Sequence, residues 1–184
     1  MAATGTSGAS SVQPFVVQPE GSPPFGGAGR AEANVTSGLL KGVGFPAGKD
    51  TSILIPVRIS GGLTLTTGVK VELLVADDTS DTAAVAGKAA RFGATVGPIT
   101  SGTSTPDENA STGPLASSTE VLANTTMPST LGVLKVITLS VTTANANSLA
   151  ITNWAFVKVR RNGTNAGDTD PGRVVLLGVD VYDY

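Results

Sequence analysis

From residue 53 onward, apolar side chains fall on every second position, as Ile53, Ile55, Val57 and Ile59, and then as Val69, Val71, Leu73 and Val75. A two-residue period belongs to an extended backbone, because successive side chains point to opposite faces. Each run is therefore a strand with one face to bury. In the second run Lys70 and Glu72 alternate with the apolar positions, which predicts a half-buried strand. Pro56 brings no N–H to a ladder, so the first run belongs at a sheet edge or at a bulge, and Gly61-Gly62 ends it.

Three further strands are predicted. Residues 133–143 place Val133, Ile137, Leu139 and Val141 on one face, with Lys135 as the exception. Residues 151–161 place Ala155, Val157 and Val159 on one face and Trp154, Phe156, Lys158 and Arg160 on the other. Residues 173–182 hold the apolar run Val174 to Val179, as a strand buried inside a sandwich would. Asp77 to Asp81 reads as a turn, residues 83–92 as a candidate short helix, and residues 93–118 as a long polar loop. The fold class is all-β: an antiparallel β-sandwich over residues 51–184, with a jelly roll as one form of it.

Residues 1–50 read as an extended N-terminal arm. They are crowded with glycine and interrupted by Pro14, Pro19, Pro23, Pro24 and Pro46. Prolines forbid a continuous ladder, and glycines raise the entropy cost of ordering. Yet the segment carries apolar beads at Phe15-Val16-Val17, Phe25, Leu39-Leu40 and Phe45. Such a segment gains order only through contacts, and the expectation is that a partner surface supplies them. Phe15, Val16, Val17, Phe25, Leu39 and Leu40 are the predicted anchors, joined on the body by Trp154 and Phe156.

Composition narrows the function. The chain has no histidine and no cysteine, which removes the usual acid/base near neutral pH, the commonest metal ligand and every thiolate. Only 14% of residues are charged and the net charge is −2, so there is no electrostatic footprint for nucleic acid or an anionic membrane. The opening residues lack the cationic and apolar regions of a secretory signal, which predicts synthesis in the cytoplasm. Asn162, Thr164, Asp168 and Asp170, like Asp77, Asp78 and Asp81, offer oxygens in short runs. They match no calcium-loop spacing and read as turn chemistry. No nucleotide loop or nucleophile motif occurs, and no cofactor or small-molecule substrate is expected.

Residues 154–184, WAFVKVRRNGTNAGDTDPGRVVLLGVDVYDY, read as a strand, an eleven-residue connection from Asn162 to Gly172, and a returning strand of one hairpin. Arg160 and Arg161 would face Asp168 and Asp170 across its mouth. This pattern of apolar strand, Arg-Arg, a Gly/Asn-rich loop and VLLGVDVYDY resembles the C-terminal end of small virion proteins of tailed bacteriophages. Among them it is most similar to capsid decoration, or cement, proteins. The resemblance implies a non-enzymatic β-sandwich that forms a homotrimer on the outer capsid surface and bridges subunits of the major capsid protein. The alternative is a module of the tail, neck or fibre that binds a receptor or carbohydrate. A carboxylate-dependent hydrolase ranks third, since no acidic pair has a recognisable context.

Overall fold

The computed structural model describes residues 32–36, 40–58, 67–99, 115–149 and 154–183. They form nine strands: β1 (Glu32–Thr36), β2 (Leu40–Phe45), β3 (Asp50–Arg58), β4 (Gly68–Asp77), β5 (Ala89–Pro98), β6 (Val121–Thr126), β7 (Lys135–Thr142), β8 (Trp154–Asn162) and β9 (Val174–Asp183). No helix occurs among the described residues.

The pairing is nested. β5 pairs with β6, β4 with β7, β3 with β8 and β2 with β9, all antiparallel. This is one long double strand, doubled back between β5 and β6 and then rolled up. Rolling brings β4 against β9 and β5 against β8. The outcome is a five-stranded sheet in the order β1-β2-β9-β4-β7 and a four-stranded sheet in the order β3-β8-β5-β6. Apart from β1, which extends the first sheet beyond β2, each sheet has four strands, and the topology is that of a jelly roll.

Period-two patterning builds the core. Val69, Val71, Leu73 and Val75 of β4, Ile137, Leu139 and Val141 of β7, and Ala155, Val157 and Val159 of β8 all point into the space between the sheets and are buried. Ile53, Ile55 and Val57 of β3 pack against the same cluster from an edge. β3 is an edge strand, as Pro56 requires, so its missing N–H breaks no interior ladder. The large rings of the core are Phe45 and Phe92, which meet edge to face with centroids 5.6 Å apart.

Four expectations change. The body does not begin at residue 51: Leu40–Phe45 is a strand paired with β9, and Phe45 is wholly buried in the core. Residues 83–92 form no helix, since turns run to Gly87 and β5 starts at Ala89. There Ala90, Phe92, Ala94 and Val96 alternate inward, and small alanines had masked the period. β5 continues to Pro98, well into the predicted loop. At Gly93 within it, a Cβ would meet the Glu120 carboxyl group at 2.5 Å and the tip of Leu122 at 2.8 Å, so both side chains would have to shift for a larger residue. Finally, β8 and β9 are not a hairpin. They lie in opposite sheets, and residues 163–173 cross from one to the other.

Because Phe45 belongs to the core, Phe45→Ala should cost about 3–5 kcal/mol of stability, read from urea denaturation. A change below about 1 kcal/mol would place residue 45 in a dispensable arm instead.

Candidate functional site

Two regions of the body carry polar or apolar groups that alternation alone does not explain: the β8–β9 crossover, and the outer faces of the sheets.

At the crossover, Arg161 continues the inward series of Ala155, Val157 and Val159, so its charge enters the core and is 0% exposed. All five of its N–H bonds are used. Nε donates to Asp168 Oδ2 at 2.8 Å, and Nη2 donates to Asp168 Oδ1 at 2.8 Å and to the Asp170 carbonyl at 2.7 Å. Nη1 donates to the carbonyls of Phe45 at 3.0 Å and Gly172 at 2.6 Å. One guanidinium thus joins the end of β2, β8 and the crossover. Asp168 Oδ2 also accepts from the Arg91 backbone N–H at 3.1 Å, which adds β5 to the clasp.

Arg160, one residue earlier, points the opposite way. It makes a two-pronged contact with Glu120 and a 3.2 Å pair with Asp50 on the outer face of the four-stranded sheet. The predicted pairing of both arginines with Asp168 and Asp170 therefore holds for Arg161 alone, because neighbours on a strand face opposite sides. The Asp168 carboxylate is spent on Arg161, and among the described residues no group of acidic side chains is arranged to hold a metal ion.

Next to the clasp sit Asp77, at the end of β4, and Asp78. Asp78 accepts from Ser80 and pairs with Arg173 at 3.3 Å. Asp77 is 1% exposed and burial pushes its carboxyl up to about 6, with the nearby Asp170 carboxyl adding to the rise. Burial raises Asp170 as well, against the lowering effect of the Gly172 N–H on its Oδ1.

On the outer face of the four-stranded sheet, Trp154 is 49% exposed and Phe156, two residues on, is half-buried beside it. Phe156 is flanked by Pro56 on β3 and Gly97 on β5. Trp154 is thus not packed in the core of the monomer. Leu40 opens β2. Phe15, Val16, Val17, Phe25 and Leu39 lie outside the described residues.

The sequence reading missed a second apolar patch. Val133, Leu134 and Val136 are 47–51% exposed at the head of β7, the edge strand of the five-stranded sheet. Val136 is paired with Leu74, which is half-buried. Val133 was expected on the buried face, but β7 begins only at Lys135, so the period does not reach back to it. Farther along this face the surface turns polar: Tyr182 donates to Glu72 at 2.5 Å, and Thr138 donates to the same oxygen at 3.2 Å. The Glu72 contact pushes the Tyr182 phenol up to about 12.

The chain matches no protein-family model and has no significant match among curated proteins.

The two adjacent arginines should separate in mutation. Arg161→Met strands the buried Asp168 carboxylate and should cost about 3–5 kcal/mol. Arg160→Met, in partly solvated pairs, should cost at most about 1 kcal/mol. Equal costs in chemical denaturation would contradict the assignment.

Proposed function

We propose that this chain is a non-enzymatic structural protein of a virus particle, a jelly-roll body that assembles into homotrimers on the outer surface of a capsid and bridges its major capsid subunits. The observation that carries the reading is the half-exposed Trp154 on the outer face of the four-stranded sheet, with Phe156 beside it. A large aromatic left in water by its own fold costs hydrophobic free energy, which a partner surface recovers. Aromatics of this kind dominate interface energetics.

The patch at Val133, Leu134 and Val136 supports self-association in particular. A ring of identical subunits joins unlike surfaces head to tail, so each subunit must offer two different patches. Among the described residues the body offers two such patches, on different sheets. The jelly roll is an architecture found in viral capsid and lectin domains, an analogy of fold that adds weight to the reading without deciding it. In a trimer, three modest attachments act together, so a small patch per subunit suffices for firm binding.

A second reading rests on the same tryptophan. An exposed indole on a sheet face, with the outward Lys158 and Arg160 farther along the same strand, is also a stacking platform for a sugar ring. This would be the receptor- or carbohydrate-binding module of a tail or fibre.

Native mass spectrometry of the full chain at micromolar concentration should show a trimer. Trp154→Ala should return it to monomer while shifting the stability of the monomeric body by no more than about 1 kcal/mol. A wild-type monomer that stains a glycan array, with Trp154→Ala abolishing the signal, would replace the first reading by the second.

A further inference from the structure

We propose that Asp77 and Asp170 share a single proton in the folded protein, making the clasp between the two sheets a device that tightens on mild acidification and loosens as pH rises.

The argument starts from an imbalance of charge. Asp77, Asp168 and Asp170 are all buried around the one guanidinium of Arg161. Asp168 takes that guanidinium in a two-pronged pair, whereas Asp170 Oδ2 stands 3.7 Å from it. The other charges at this end are engaged in their own contacts. Arg173 pairs with Asp78, Asp81 accepts from the backbone N–H groups of Arg173 and Ala83, and Arg91 donates to Asn165.

Both oxygens of Asp77 and the Oδ2 of Asp170 have no donor from the rest of the protein. Yet the two carboxyl groups are neighbours: Asp77 lies opposite Val174 at the start of β9, four residues on from Asp170, and the interaction with Asp170 raises the Asp77 carboxyl. Two ionised carboxylates in that position would repel in a medium from which water is excluded, with neither supplying a hydrogen. One proton between them turns the repulsion into a hydrogen bond. Its site follows from the surroundings: Asp170 Oδ1 accepts from the Gly172 N–H at 2.9 Å, which favours its charged form, whereas Asp77 receives nothing. Asp77 is therefore the neutral acid and Asp170 the acceptor, and the two titrate as a pair.

The location gives the proton leverage. Asp77 ends β4, Asp170 lies in the β8–β9 crossover, and the Asp170 carbonyl is one of the five acceptors on Arg161. Losing the proton places a second uncompensated charge beside the guanidinium that ties β2 and β8 to the crossover.

The sign follows from linkage. A carboxyl that titrates near 6 when folded and near its ordinary 3.8 when unfolded binds more protons in the folded state between those values. Stability from this group is therefore present in full below the lower value and is lost as pH rises through about 6. Between pH 7 and pH 5 the folding equilibrium constant should rise about tenfold on its account.

The test is denaturant unfolding of the full chain from pH 5 to pH 8. The wild type should show that tenfold gain on acidification. Asp77→Asn, whose amide donates to Asp170 without a titrating proton, should lose it and be at least as stable as wild type at pH 8. As a check that needs no variant, the side-chain carboxyl carbon resonance of Asp77 should titrate near pH 6 by NMR. A wild type whose stability is flat over this range, or an Asp77 resonance that titrates near 4, would overturn the proposal. So would calcium chloride raising the unfolding midpoint at pH 8 in wild type but not in Asp77→Asn, which would make the cluster a cation site rather than a proton site.

Discussion

The fully buried guanidinium of Arg161 is the constraint around which one end of the sandwich is arranged. Moving a charge out of water costs several kcal/mol, and the structure meets that cost only by saturating every N–H with an acceptor fixed in place. Those acceptors come from the end of β2, from Asp168 and from the backbone at Asp170 and Gly172. None can move far without leaving a buried donor unsatisfied, which is why the crossover between sheets has a single path. The Gly172 position shows how tight that path is, since a Cβ there would press on the backbone of Ala84.

The rest of the fold is hydrophobic and follows a simpler rule. Alternation puts one face of each strand between the sheets, and the nested pairing brings those faces together around Phe45 and Phe92. With the core settled by the inward residues, the outward ones are released from packing. Some of them form surface networks, such as Arg160 with Glu120 and Asp50, or Glu72 with Tyr182 and Thr138. Others, Trp154 and the Val133–Val136 cluster, stay apolar and exposed. A protein with few charges and a closed core has its outer faces as the means of acting on anything else, and the proposed assembly role is placed there.

Local rules and long-range ones differ sharply in how far they could be read in advance. The strands with bulky alternating residues were legible to within about three residues, because Val, Ile and Leu at every second position have no other economical conformation. Pro56 narrowed β3 to a sheet edge or a bulge, and the structure places it at the edge. β5 was not legible, because Ala90 and Ala94 suit a helix as well as a strand and only cross-strand neighbours decide between them. The sequence places Trp154 and Phe156 together on one face of their strand, and the structure turns that face outward. The Val133–Val136 patch could not be read in this way, since it depends on where β7 starts.

What the sequence by itself determined is therefore the all-β class and the five strands with bulky alternating residues, β3, β4, β7, β8 and β9, all of which follow from the chain's own period. Only the tertiary structure decided that β8 and β9 part into opposite sheets, that Phe45 belongs to the body, and that Arg161 rather than Arg160 holds the crossover. The reason is physical. A hairpin and an inter-sheet crossover can share the same strand–loop–strand text, and what separates them is whether an inward-facing arginine finds its acceptors across the core. Those acceptors include the Phe45 carbonyl, more than a hundred residues away along the chain, and no local pattern encodes that meeting.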